Sequence, residues 1–220
     1  MAYHFNFSAV WASFDLLLYG LGLGFILALI ANTIGAGLGL ILAFLSISPN
    51  RIYRLIGTSY VTFIRNTPIL VIILTVYFAL PQIGIGLGKI ESFIVSLAVY
   101  AAAYLAEVFR AGLLSVPKGL HEAGMSVGLS RRQIKFNIIL PLMFRNVLPS
   151  LSNNLISLFK DTSLAAAIAV PELTFYARKI NVETFRVVET WMVASVLYVL
   201  ACYLIASVLR RLEKTFALPV

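Results

Sequence analysis

Along the chain, long apolar stretches alternate with short polar breaks, and the breaks carry most of the charge. Five stretches read as membrane helices. The first, Phe14 to Leu45, is interrupted only by a few polar groups such as Asn32 and Thr33. At 1.5 Å per residue it spans about 48 Å, more than the ~30 Å hydrocarbon core, so tilt or protrusion is expected. The second runs from about Thr58 to Leu80, the third from Ser92 to Ser115, the fourth from Met143 to Ala169 and the fifth from Val187 to Leu209. The fourth is unusually polar and the fifth is the cleanest. The longest polar stretch, 116–136, separates the third from the fourth. The pattern predicts an all-α membrane protein, one transmembrane domain over residues 1–220.

Composition supports lipid as the solvent. The 220 residues are 60% hydrophobic and 12% charged, against about 45–50% and about 25% in an ordinary globular chain. A soluble domain of this size cannot bury so much apolar surface. The net charge of +8 would suggest nucleic acid in a soluble protein, but in a membrane protein an excess of Lys and Arg marks cytoplasmic loops. Arg51 and Arg54 follow the first span, Lys118, Arg131, Arg132, Lys135 and Arg145 follow the third, and Arg210, Arg211 and Lys214 follow the fifth. No basic residue precedes Arg51, and the alternate loops carry Lys89, Arg178, Lys179 and Arg186. The expected orientation is N-terminus outside and C-terminus in the cytoplasm, with no secretory leader. The single Cys202 offers neither an internal disulfide nor a zinc site.

Several short matches to enzyme motifs fail. Gly124-Met-Ser126-Val-Gly128 fits a nucleophile elbow, but that motif requires a strand–turn–helix in an α/β sheet. His121-Glu122 begins like a zinc-protease helix, yet Met125 stands where the second histidine is required. Gly88-Lys89 lacks the earlier glycine of a phosphate loop. An intramembrane aspartyl dyad needs two aspartates, and only Asp161 falls inside a span. No chemistry in this chain is expected to hydrolyse ATP or a peptide.

Two features speak to architecture. Ala31, Gly35, Gly39 and Ala43 recur every four residues on the first helix, a seam along which another backbone can approach. In the polar stretch, Leu120, Ala123, Val127 and Ile134 fall roughly on one side, Gly128 suits a helix-ending turn, and Ser130 suits the cap of a following helix bearing Arg131 and Arg132. Helix, glycine turn and basic helix would make a rigid knob below the membrane. The alternative is a helix lying in the lipid interface.

These residues carry a resemblance. Glu122-Ala123-Gly124-x3-Gly128-x9-Ile138-x-Leu140-Pro141 resembles the EAA loop of bacterial ABC-importer permeases, with Gly124 in place of the second alanine. Arg65-Asn-Thr-Pro68, Ala106-Glu-Val-Phe-Arg-Ala-Gly112 and Phe159-Lys-Asp-Thr-Ser-Leu164 are similar to the polar amino-acid branch of those permeases. The likeness covers residues 14 to 212. It implies a type I importer of the bacterial inner membrane. Two permease subunits, identical or paralogous, form the pathway. Two ATPase chains hold ATP and magnesium, a periplasmic binding protein delivers the amino acid, and this chain needs no cofactor of its own. Loop 116–136 would then be the coupling element, with Glu122, Ala123, Gly124, Gly128 and Arg131 at the ATPase.

The fourth span concentrates polar groups at membrane depth: Asn153, Asn154, Ser157, Lys160, Asp161, Thr162 and Ser163. An Asp or Lys at a helix centre costs roughly 2.5–3.5 kcal/mol on insertion scales, so these groups should face protein or water. Asn154, Ser157 and Asp161 share one helical face, and Pro149 suggests a bend or break. For an amino-acid substrate, Asp161 suits the ammonium, while Asn154, Ser157 and Thr162 suit the carboxylate. Asp161 has a second reading as a structural or gating partner. Glu107 and Arg110, three apart, suit an ion pair bracing a gate. Tyr100 and Tyr104 extend that face. Arg65 suits snorkelling to the interface, and Pro68 marks a bend or the true start of the second helix. Segment 171–186 is either a docking surface or a solvated loop. Competing functions are an ABC permease for another small polar solute or an anion, a membrane-embedded hydrolase, and a passive channel. Asp161 argues against an anion, and the missing partner residues against a hydrolase.

Overall fold

The structure, a computed structural model, describes residues 3–216, and among these every regular element is helical. After a short α1 (Ser8–Ala12) the chain enters α2 (Phe14–Ser46), which matches the first predicted span. Helix α5 (Lys89–Ser115) packs along α2 more extensively than any other pair. The predicted seam is the reason. Ala31, Gly35, Gly39 and Ala43 are all buried. A Cβ on Gly35 would stand 2.6 Å from the Ala101 Cβ, and one on Gly39 would stand 3.0 Å from the Ala102 carbonyl and the Ala106 amide. Such contact gains dispersion energy between backbones that larger side chains would hold apart.

Because Gly35 meets Ala98 and Ala101 while Gly39 meets Ala102 and Ala106, α2 and α5 run parallel. That register puts the start of α5 level with about Gly24, so the connection must climb back about 33 Å along α2. It does so through a broken helix, α3 (Arg51–Arg65) and α4 (Ile69–Leu74), which then passes through a π turn (Thr75–Ala79) and a 3₁₀ turn (Leu80–Ile83). The two segments are bent by 100° at residues 66–68. The predicted helix 58–80 is therefore two pieces, and the chemistry is local. Asn66 Nδ2 donates to the Thr62 carbonyl at 2.7 Å and Thr67 Oγ1 to the Phe63 carbonyl at 2.8 Å, both turned back on the helix they end. Pro68 then biases its predecessor away from helix and caps α4.

Helix α8 (Leu140–Asp161) runs back through the bundle: Val147 and Met143 lie against Gly112 near the end of α5, and Thr162 lies against Gly24 of α2. It passes Pro149 without a break. The irregularities sit at its ends, a π turn before it (Lys135–Ile139) and a 3₁₀ segment after it (Thr162–Ile168). The expected helix 143–169 thus stops at Asp161. The 3₁₀ segment closes on Ala169, which is left-handed at φ 56°, and its carbonyl accepts a hydrogen bond from Lys89 Nζ at 2.8 Å.

Segment 171–186 is not an irregular loop. It holds α9 (Leu173–Thr184), whose Leu173, Ala177 and Ile180 are buried. Glu172, from that mixed-charge stretch, is fully buried. Its carboxylate accepts from the Thr174 and Phe175 amides at 2.9 and 2.8 Å and from the Tyr198 hydroxyl at 2.8 Å. Burial still pushes the carboxyl up to about 7, against the downward pull of those donors. Finally α10 (Val187–Phe216) returns along the bundle. At its start, buried Glu189 accepts from the Tyr3 hydroxyl and, at 2.8 Å, from the Asn6 amide, tying the N-terminal segment to α10. Three described helices, α2, α5 and α10, are long and apolar enough to cross a membrane, and the bent pair α3–α4 makes a fourth. Helix α8 is too polar to be recognised that way.

Candidate functional site

The first site is a knob. Helix α6 (Lys118–Ser126) and helix α7 (Arg131–Ile134) form from the polar stretch, where the glycine and serine signals place them. Gly128 adopts φ 82°. Its amide donates to the Met125 carbonyl at 3.0 Å, and the Leu129 amide donates to the Gly124 carbonyl at 3.0 Å. This is the Schellman closure, which satisfies the last carbonyls of α6 and needs a residue tolerant of positive φ. Ser130 then caps α7 in a capping box: Gln133 N donates to Ser130 Oγ at 3.3 Å, and Ser130 N donates to Gln133 Oε1 at 2.8 Å.

What fixes the two helices against each other differs from the periodic expectation. Leu120, Ala123 and Val127 are exposed; the inner contact is Gly124 against fully buried Ile134. A Cβ on Gly124 would stand 2.8 Å from Ile134 Cγ1. Helical periodicity groups Ala123 with the apolar residues on one side. The close approach of α7 instead selects the residue without a side chain. Glu122 is exposed, its carboxylate caps nothing among the described residues, and its carbonyl accepts from Ser126 Oγ at 3.0 Å. Arg131 is exposed, and Arg132 lies over the Phe136 ring at 5.9 Å. The knob therefore presents Leu120, Met125 and Val127 beside Glu122 and Arg131, an apolar and charged surface on a rigid, doubly capped frame.

The second site is a cavity of ≈ 490 Å³ between the end of α2, α3 and α5, lined by Ser46, Thr62, Arg65, Tyr104, Glu107 and Arg110, among others. Arg110 Nε and Nη2 donate to the two Glu107 oxygens at 2.9 and 2.8 Å, the bidentate geometry that favours arginine over lysine. Arg65 approaches the same carboxylate at 3.8 Å and stacks over the Tyr104 ring at 5.3 Å. Arg65 thus has partners within the protein while its side chain stays partly exposed. Tyr104 packs on Tyr100 with centroids 4.6 Å apart. Asp161 is half-buried at the end of α8 and lies outside the lining of this cavity.

The other predicted residues of α8 divide. Ser157 is exposed on the single chain, and Asn154 turns its amide back to the Ser150 carbonyl at 2.9 Å. Thr162 is buried, donates to the Phe159 carbonyl at 2.8 Å and packs on Gly24. It faces α2 and not the Asp161 side, because successive helical residues point about 100° apart. Four residues of the motif 106–112 have visible roles. Ala106 meets Gly39, Glu107 and Arg110 face the cavity, and a Cβ on Gly112 would overlap Val147 Cγ1.

Known proteins resemble this chain along most of its length. Residues 35–216 match the family model described as binding-protein-dependent transport system inner membrane component. The chain is 35% identical over 212 residues to the glutamine transport system permease protein GlnP of Escherichia coli (strain K12), covering 96% of this chain and 97% of that one. It is 35% identical over 189 residues to the L-cystine transport system permease protein TcyB of Bacillus subtilis (strain 168), covering 86% and 81%. Its fold is similar to a chain in a crystal structure of an amino acid ABC transporter with histidines, with TM-score 0.89, 29% identity and coverage of 97% of this chain and 100% of that one.

Proposed function

The chain belongs to the inner-membrane-component family of binding-protein-dependent transport systems, and on that premise we propose that it is the membrane subunit of an ATP-driven importer of a polar amino acid. The hydrolytic site belongs to a separate ATPase chain, which would bind ATP and magnesium; this chain converts the motion of that partner into alternating access. A second permease subunit, two ATPases and a periplasmic binding protein complete the assembly in the bacterial inner membrane.

The observation that carries this reading is the knob. A capped, glycine-closed helix pair with an exposed apolar tip flanked by Glu122 and Arg131 is suited to sit in a groove of another protein. It hangs between α5 and α8 (where Gly112 lets the two helices touch), so a push on it moves both as rigid bodies. On this reading the chain crosses five times, by α2, α3–α4, α5, α8 and α10, which would put the N-terminus outside and the C-terminus in the cytoplasm. On this topology the knob, Arg51, Arg54 and Arg211 lie in the cytoplasm.

The transported amino acid would lie against Asp161, which would take its ammonium, with Ser157 and Asn154 on the same helical face. Arg65, braced on Tyr104, is better placed than Thr162 to meet a carboxylate. The Glu107–Arg110 pair would hold the inner end of the path. Reconstituted transporter tests both parts. Asp161→Asn should abolish most uptake while the complex still assembles; unchanged affinity and rate would remove it from the site. Glu122→Trp should lower uptake per ATP hydrolysed, or release the ATPase, with membrane insertion intact. Normal coupling in that variant would refute the knob assignment.

A further inference from the structure

A groove on the opposite side of α8 serves none of these roles. It is a cavity of ≈ 370 Å³ between α2, α8 and α10, walled by Phe25, Leu29, Leu155, Phe159, Leu204 and Val208 with other apolar side chains, within the size range of small-molecule pockets, about 300–1,000 Å³. Its one polar lining residue, Asn32, donates its amide back to the Ala28 carbonyl at 2.8 Å. At 3.6 residues per turn, Leu155 and Phe159 stand about 150° around α8 from the Asn154–Ser157–Asp161 face. The groove therefore looks away from the proposed pathway, toward the bilayer.

Its lower end is not apolar. Leu204, Val208 and Arg211 follow at i, i+4 and i+7 on α10, so Arg211 continues the groove wall. On α8 the face of Phe159 and Leu155 continues through Leu148 to Arg145. Both arginines are exposed, and among the described residues neither has a carboxylate partner. By helical register, one exposed arginine from each of two helices thus stands beyond one end of an acyl-sized trough. A guanidinium matches phosphate oxygens in a bidentate fork, and basic pockets between membrane helices recognise anionic headgroups. We infer that this groove is a binding site for an anionic phospholipid, with an acyl chain along Leu204, Val208, Leu155 and Phe159 and its phosphate between Arg211 and Arg145. A lipid seated there bridges α2, α8 and α10 from behind. The inference rests on membrane embedding and not on the transport reading or the orientation.

The test uses the full-length chain reconstituted in phosphatidylcholine bilayers, alike in both leaflets, with trace nitroxide-labelled phosphatidylglycerol or phosphatidylcholine. Spectra of the motionally restricted lipid should show phosphatidylglycerol preferred on the order of tenfold at a saturable site. The double substitution Arg145→Gln and Arg211→Gln should remove the preference, and Leu204→Trp, which fills the groove, should remove the saturable site. Arg51→Gln with Arg54→Gln, an exposed pair elsewhere, should leave both unchanged. The inference is overturned if the preference survives in the first double variant, if the Arg51 and Arg54 changes reduce it equally, or if Leu204→Trp leaves the saturable site intact.

Discussion

The α2–α5 seam makes a quantitative prediction in which one methyl group is moved between two helices. A Cβ on Gly35 would lie 2.6 Å from the Ala101 Cβ, whereas carbon atoms attract best at about 3.5–4.0 Å. Gly35→Ala must therefore open the seam by about 1 Å, and Gly39, already in contact with the α5 backbone at 3.0 Å, would be drawn off with it. Overpacking of this kind costs about 1–3 kcal/mol, offset in part by the roughly 1 kcal/mol that alanine gains over glycine in a helix. Ala101→Gly alone loses about 1 kcal/mol of helix propensity and leaves a small void. In the double variant the obstructing Cβ is gone when the new one arrives, so the two changes should couple favourably by about 1–3 kcal/mol. Cys202, the single cysteine, is half-buried in α10, so a thiol-reactive dye reports unfolding without added labels. At about 2–4 °C per kcal/mol for a chain of this size, Gly35→Ala should lower Tm by several degrees and Ala101→Gly in the same background should restore much of the loss. A double variant that melts at the sum of the two single losses would refute the close-contact argument.

Two further predictions concern single residues. Gly128→Ala forces a Cβ into φ 82°, at about 1–2 kcal/mol, and should impair coupling of ATP hydrolysis to uptake; Gly128→Asn, which tolerates that conformation better, should retain more, and equal loss in both would point to something other than the turn. Glu172, with its carboxyl raised to about 7 from 4.5, keeps a proton in the folded state that the unfolded chain has already released. Stability should fall as pH rises from 4.5 to 7 and level off above, by an amount on the order of 3 kcal/mol; Glu172→Gln should flatten the Tm-against-pH curve across that window, and an unchanged slope would locate the titration elsewhere.

Much of the chain was legible from its own pattern, because the informative signals are local or set by the solvent. Apolar runs located α2 and α5 within a few residues and the start of α10, since a bilayer demands a continuous apolar length; the polar end of α10 runs seven residues past the predicted Leu209. The four-residue spacing announced the seam, and glycine and serine chemistry announced the knob's turn and cap. The second and fourth stretches were read less well. Asn66 and Thr67 end α3 by bonding their own helix, and the long apolar average over 58–80 concealed that break. Pro149 drew attention to the middle of α8, while the change of winding came at Thr162.

What only the tertiary structure decided is which side chains meet. Sequence separation gives no sign that Arg65 stacks on Tyr104 and reaches Glu107, or that Glu172 is buried against Tyr198. Nor does helical periodicity say that Gly124, and not Ala123, is the residue against Ile134. The sequence alone determined the long apolar helices α2, α5 and α10 and the family likeness, because each follows from local composition and spacing. The cavity, the groove and the inner face of the knob follow from how bent helices cross, and that depends on contacts between residues tens of positions apart.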